Sequence, residues 1–247
     1  MHDLAREIIT GGEIGEIKLF KGCQHVDMFG DPLAPFMWRA DGKLAPTGIV
    51  GDTGSHVFSF MEFLVGRVSS LVADNLIVTP HRPVVWGAAL GSGGPLTGAE
   101  DWAEVTNPDA THLMCRFENG ASGIVDFSRV ATGRKMGLGF EISGTMGSIV
   151  FTQERLNELL LYRAGPRGRE GFVTIMAGSE HGDYGAFCPA SGHQLGYNDL
   201  KTIEVKETIN AVLGLSSMAP SFRSALAVER VADAIRRSSR EGVWTRP

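Results

Sequence analysis

The stretch THLMCRFENGASGIVDFSRV, residues 111–130, decides the fold class of this chain. Two largely apolar runs flank Asn119-Gly120, a dipeptide typical of tight β-hairpin turns. A similar arrangement follows in LGFEISGTMGSIVF, residues 138–151, where Thr145-Met146-Gly147 predicts a second turn. Because consecutive hairpins pair their strands antiparallel, the sequence predicts a large, mostly antiparallel sheet.

Helical patterns lie outside this strand-rich part. Residues 2–10 place apolar side chains on one face, residues 53–65 are apolar almost all round, and residues 221–239 form an amphipathic stripe. Strands and helices are therefore segregated along the chain, which predicts the α+β class, with helices covering one face of the sheet. A Gly- and Pro-rich segment at residues 91–102 is predicted to be a surface insertion.

Composition excludes several functional classes. The chain has 247 residues and a formal net charge of −5, and its Lys and Arg residues form no basic stripe, which argues against nucleic-acid binding. The three isolated cysteines, Cys23, Cys115 and Cys188, cannot build a disulfide framework. No apolar run approaches a membrane span, and the charged N-terminus is unlike a signal peptide. We expect a cytoplasmic protein that does not bind membranes.

Asp52 and His56 lie four residues apart in GDTGSH, residues 51–56, so a helix would place them on one face. Two interpretations remain open from this spacing. Asp52 caps the helix and His56 satisfies a carbonyl, or the acid and the imidazole act together in catalysis. A metal site that adds His25 and Asp27 is a weaker alternative, because no metal-binding spacing is present.

Other polar residues near these elements are ambiguous. Trp38 and Arg39 lie in the loop before the 53–65 helix and could line a polar pocket. Arg129 and Arg134 are expected to flank the end of a strand as solvated charges.

The order of these motifs resembles the C-terminal part of the glucose-fructose oxidoreductase, inositol dehydrogenase and MocA family. The resemblance spans essentially the whole chain and rests on LAREIITGGEIGEI, a loop with Trp-Arg, DTGSH, FENGASGIVDFSR, FEISGTMGSI and SFRSALAVERVADAIRRS. It implies a dihydrodipicolinate-reductase-like C-terminal domain whose large sheet often forms the oligomer interface. A homodimer or homotetramer assembled through the sheet is therefore expected.

The resemblance also implies an activity. It indicates an NAD(P)-dependent dehydrogenase, with NAD or NADP as cofactor, that oxidises a hydroxyl of a sugar, polyol or inositol-like substrate. Asp52 and His56 match the family's substrate-binding acid and proton-transferring histidine, and no metal is implied. By position in the sequence rather than by a motif, the candidates for substrate contacts are Gln24, Met28, Trp38 and Arg39.

Two family features are missing from the sequence. No GxGxxG follows a predicted strand, and no Glu-Lys-Pro tripeptide supplies the family's lysine. In addition, Pro46 and Thr47 stand where the family tends to have glycines. We therefore expect residues 1–12 to be the remnant helix of a missing nucleotide-binding domain and residues 13–247 to bind substrate and assemble. The chain is then inactive alone until a Rossmann domain is supplied, either in the same polypeptide or as a separate partner.

A non-catalytic interpretation stays open beside this one. The chain could be a free-standing carbohydrate-binding or assembly module. In that case Ile124, Val125, Phe140 and Ile142 would supply a buried dimer face.

Overall fold

The computed structural model describes residues 1–85, 101–190, 192–215, 217 and 219–247. Residues 91–100 of the predicted surface insertion lie outside the described residues. The α-helices are α1 His2–Thr10, α2 Ser55–Leu64, α3 Tyr197–Val212 and α4 Phe222–Glu241. Shorter helical turns cover Trp38–Ala40, Gln153–Arg155 and Gly182–Ala186, and a π-helical turn, Val50–Gly54, runs directly into α2.

The strands are β1 Ile17–His25, β2 Val68–Leu76, β3 His81–Pro83, β4 Trp102–Glu104, β5 Ala110–Phe117, β6 Ser122–Ser128, β7 Gly137–Gly144, β8 Gly147–Thr152, β9 Glu158–Arg163 and β10 Val173–Met176. Eight of them form one sheet in the order β10-β9-β8-β7-β1-β6-β5-β2, and β3 pairs with β4 in a separate ribbon. The α+β class and the large sheet are confirmed.

The sheet is mixed because β1 lies between β6 and β7. It pairs parallel with β6 and antiparallel with β7, whereas the other neighbouring strands described in this sheet are antiparallel. The hairpins predicted from the turns are present, with Gly120 at φ 88° between β5 and β6. The parallel pair joins strands that are far apart in the chain, so no local turn signals it.

One face of the sheet packs against helices to form the core. Leu113, Phe117 and Phe127 point to this face, and Val57 and Met61 of α2 pack in the same cluster. Helix α1 joins it, since Met1, Ala5 and Ile8 are buried there too. The core therefore fixes α2, and with it the turn that precedes α2, against the sheet.

The predicted dimer face is wrong for three of its four residues. Val125, Phe140 and Ile142 are buried on the helix-covered face, whereas Ile124 is 58% exposed on the other face. Because side chains alternate along a strand, neighbours such as Ile124 and Val125 cannot share a face.

Helix α4 docks through its C-terminal half. Ala234, Ile235 and Ser238 are buried, and Ser238 Oγ accepts a hydrogen bond from the backbone N–H of Ala73 in β2. The predicted stripe does not continue to the start of the helix, where Phe222 is 98% exposed. Among the described residues, no helix is long and apolar enough to cross a bilayer.

Candidate active site

Asp52 lies inside the π-helical turn that leads into α2, not at a helix cap. The N-cap residues of this turn and of α2 are Ile49 and Gly54, and neither has a side-chain capping bond. The Oδ2 atom of Asp52 accepts a hydrogen bond from Nε of Arg39 at 3.0 Å. The capping interpretation of Asp52 is therefore wrong, because its side chain bonds to the preceding loop.

Arg39 joins the loop to the helix. Its guanidinium carbon stacks 4.3 Å from the ring centroid of Trp38, which is itself 51% exposed. The side chains of Arg39 and Asp52 are 23% and 25% exposed. The structure thus brings together three predicted site residues at the protein surface.

His56 lies in the first turn of α2, four residues after Asp52, and its side chain is solvent-accessible. Its surroundings lower its pKa below the ordinary 6.5, mainly by partial desolvation and then through the positive charge of Lys201. Asp52 and Glu204 act in the opposite direction. At neutral pH the imidazole is therefore uncharged and able to accept a proton.

Charges on helix α3 act on His56, an influence that sequence reasoning missed. Lys201 and Glu204 belong to α3, pair with each other at 2.6 Å, and both act electrostatically on His56. They are separated from His56 by most of the chain. Only the tertiary fold brings them near it.

The other two predicted substrate contacts lie deeper. Gln24 on β1 is 1% exposed, and its amide N and O have no hydrogen-bond partner in the described residues. It sits in register with Phe127, the ring against which Gly54 packs. Met28 is partly buried against the core. Neither side chain is exposed in the way Trp38 is.

The alternative metal site does not assemble. His25 pairs with Asp126 at 2.9 Å and Asp27 with Lys135 at 2.6 Å. In the part of the chain that the structure describes, no three His, Cys, Asp or Glu side chains are grouped to hold a metal ion.

Arg129 is the clearest residue that the sequence analysis misplaced. It is 1% exposed rather than solvated, and its Nε donates to Oδ1 of Asp109 at 2.8 Å. Its Nη1 donates to the carbonyl of Arg39 at 2.7 Å. The sequence did contain a signal for this burial. Residues 125, 127 and 129 are spaced two apart, so an extended chain points all three to the helix-covered face.

Comparison with known proteins places the chain in a family. The family model of the GFO/IDH/MocA C-terminal domain matches residues 2–150. The levoglucosan dehydrogenase of Pseudarthrobacter phenanthrenivorans is 35% identical over 242 residues, which cover 98% of this chain and 62% of the relative.

Solved structures show the same likeness. An NAD-binding oxidoreductase from Klebsiella pneumoniae superposes with a TM-score of 0.88 at 34% identity, over 98% of this chain and 62% of that one. A levoglucosan dehydrogenase in complex with NADH and levoglucosan gives a TM-score of 0.86 at 35% identity, with the same coverage. This chain therefore spans about 62% of the length of these relatives, and it belongs to the GFO/IDH/MocA family of oxidoreductases.

Proposed function

We propose that this chain is the substrate-binding and oligomerisation part of a cytoplasmic NAD(P)-dependent oxidoreductase that oxidises a hydroxyl of a sugar or polyol. The observation that carries the proposal is Asp52, held by Arg39, four residues before a solvent-accessible, neutral His56. The similar levoglucosan dehydrogenase is named for a sugar, which favours this substrate class.

Each residue has a distinct role in this proposal. Asp52 accepts a hydrogen bond from a substrate hydroxyl, while Arg39 holds its Oδ2 atom in place. His56 takes the proton of the reacting hydroxyl as the carbonyl forms. A bound nicotinamide would supply the hydride acceptor. His56 is exposed, so its imidazole is open to a molecule that approaches from solvent.

The cofactor is proposed to come from outside the described residues. The strands described here form a mixed sheet and a two-stranded ribbon, whereas dinucleotides bind at the edge of an open parallel sheet. A nucleotide-binding domain, in the same polypeptide or in another, would hold NAD or NADP. Residues 1–12 would adjoin that domain, and residues 13–247 would bind substrate and assemble. By itself the chain would bind substrate without turnover.

The uncovered face of the sheet is proposed to form a homodimer or homotetramer. Leu19, Met114 and Ile124 are 51%, 53% and 58% exposed. They lie on the adjacent strands β1, β5 and β6. Burial of such neighbouring apolar side chains against a second copy would stabilise the assembly.

The test joins this chain to the nucleotide-binding domain of the levoglucosan dehydrogenase relative and measures sugar-dependent NAD(P)H formation. Turnover by the joined protein, and its loss in Asp52→Ala, are expected. Sugar binding without turnover by the joined protein would contradict the proposal and favour the free-standing binding module.

A further inference from the structure

A buried polar network lies behind the loop that carries Arg39. Asn107, Asp109 and Arg129 are 2%, 0% and 1% exposed. Arg129 pairs with Oδ1 of Asp109 through Nε and donates to Oδ1 of Asn107 through Nη2, both at 2.8 Å. The other oxygen of Asp109 accepts the backbone N–H groups of Val78 and Thr79. The charges are thus paired and hydrogen-bonded, as burial requires.

The network holds one backbone carbonyl in the Trp38–Ala40 turn. The carbonyl oxygen of Arg39 accepts Nη1 of Arg129 at 2.7 Å and Nδ2 of Asn107 at 2.8 Å. The next carbonyl, of the fully buried Ala40, accepts the backbone N–H of Thr106 at 3.1 Å. Two successive peptide groups are therefore fixed from inside, while the Arg39 side chain extends outward to Asp52.

We propose that Arg129 is a positioning residue for Asp52, acting through the main chain of Arg39. Its bond to the Arg39 carbonyl sets where the Arg39 guanidinium emerges, and the guanidinium sets the orientation of the Asp52 carboxylate. The inference rests on the proposed function only for the role of Asp52 as a substrate ligand. The positioning itself is a property of the fold.

The planar fork of arginine is what this position needs. Arg129 reaches three acceptors on two segments: Asp109 and Asn107 on one, and the Arg39 carbonyl on the other. A lysine ammonium is a point donor on a flexible stem and cannot reproduce this arrangement. Arg129→Lys therefore keeps the positive charge beside Asp109 while it loses the fixed contact to Arg39.

Arg82 provides a matched control. It is 0% exposed, and Arg82 and Arg129 stack on the Phe29 ring at 4.5 and 4.8 Å from its centroid. Arg82 donates to the carbonyls of Phe29 and Asp31 and not to that of Arg39. Arg82→Lys thus disturbs an equally buried guanidinium on the same ring without touching the Arg39 turn directly.

The direct readout is the Nε–H resonance of Arg39 in ¹⁵N-labelled full chain, assigned by its loss in Arg39→Lys. The hydrogen bond to Asp52 is expected to slow its solvent exchange. Arg129→Lys should speed this exchange about tenfold or more, and Arg82→Lys should leave it unchanged. Unchanged exchange in Arg129→Lys, or an equal change in both variants, would overturn the proposal.

Asn107→Ala keeps the test decisive if Arg129→Lys does not fold. It removes the Oδ1 atom that accepts Nη2 of Arg129, and so loosens the Arg129 guanidinium, and it also removes the second donor to the Arg39 carbonyl. The Arg129–Asp109 pair is retained. Faster exchange of the Arg39 signal than in Arg82→Lys supports the proposal, and exchange equal to that of Arg82→Lys contradicts it.

Kinetics of the protein joined to a nucleotide-binding domain separate the two proposals. Arg129→Lys is expected to raise KM for the sugar on the order of tenfold to a hundredfold, and Arg82→Lys to leave it unchanged. An inactive wild-type protein would overturn the proposed function, while the Arg39 signal would still decide the role of Arg129. An active wild type with equal KM in both variants would overturn the positioning role.

Discussion

Nε of Arg39 lies 3.0 Å from Oδ2 of Asp52, which links the loop before α2 to the turn that begins it. This ion pair brings two separate sequence motifs, Trp-Arg and DTGSH, together at the protein surface. His56 follows on the same segment, one helical turn beyond Asp52.

Arg39→Gln should weaken substrate binding much more than folding. The side chains of this pair are about a quarter exposed, so water can still reach Asp52, and loss of the bond should lower the free energy of unfolding by about 1 kcal/mol. Sugar affinity should fall about a hundredfold, or about 2.7 kcal/mol, since Asp52 loses its fixed orientation. Urea unfolding and sugar titration of the same preparation check both parts. A loss of stability that matches the loss of affinity would contradict this division of roles.

Lys201→Gln should raise the pKa of His56, because it removes a positive charge that disfavours the imidazolium. The acidic limb of the activity profile should then move to higher pH. Lys206→Gln is the control, since Lys206 lies on the same helix and pairs with Asp183. An NMR titration of His56 in both variants measures the shift, and equal curves would contradict the role of Lys201.

His56 should also make folding pH-dependent. Its folded pKa is below the unfolded value near 6.5, so the unfolded chain binds more protons in the window between the two. This contribution to stability is fully present above pH 6.5 and is lost as the pH falls through that window to the folded pKa. Denaturant midpoints of wild type and His56→Gln at a series of pH values measure it. Parallel curves would argue against a lowered pKa.

Gly22→Ala should destabilise the contact between β1 and α2. A Cβ at Gly22 would lie 2.7 Å from Cε1 of Phe20 and 2.8 Å from Cγ1 of Val57, the residue after His56. Overpacking of this kind costs about 1–3 kcal/mol. Gly171→Ala is the control, because nothing lies within 4 Å of its Cβ position. Thermal unfolding distinguishes them, and equal Tm values would be the contrary result.

Ile124→Arg should disrupt self-association through the uncovered face of the sheet. The substitution places a charge among Leu19 and Met114 without entering the core. Phe222→Arg, at a 98% exposed position on α4, controls for a general loss of surface hydrophobicity. Light scattering after gel filtration should show a smaller mass for Ile124→Arg alone. An unchanged mass would place the interface elsewhere.

Turn dipeptides and local periodicity predicted the hairpins and the α+β class, but not the register in which β5 pairs with β6. The β5–β6 loop contains Glu118, Asn119 and Gly120, since Phe117 and Ala121 bond across it. This register places Arg129 opposite Asp109. The backbone N–H of Arg129 donates to the carbonyl oxygen of Asp109 at 3.0 Å. A two-residue turn at Asn119-Gly120 would shift the pairing by one residue. The buried ion pair thus depends on a detail that the dipeptide alone does not specify.

The candidate site was predicted in part for a similar reason. The four-residue spacing predicted that Asp52 and His56 lie on one face of a helix. In the structure, Asp52 lies in a π-helical turn rather than in a regular α-helix. The partners of both residues come from elsewhere: Arg39 from the loop and Lys201 from α3. The position of β1 between β6 and β7 could not be predicted either, because pairing between strands far apart in the chain does not affect local periodicity.

The most direct measurement of the central claim is turnover and sugar binding of His56→Gln in the protein joined to a nucleotide-binding domain. If His56 takes the proton of the reacting hydroxyl, kcat should fall on the order of a hundredfold or more while sugar affinity stays close to wild type. Turnover equal to that of wild type would contradict the assignment of His56 and, with it, the proposed active site.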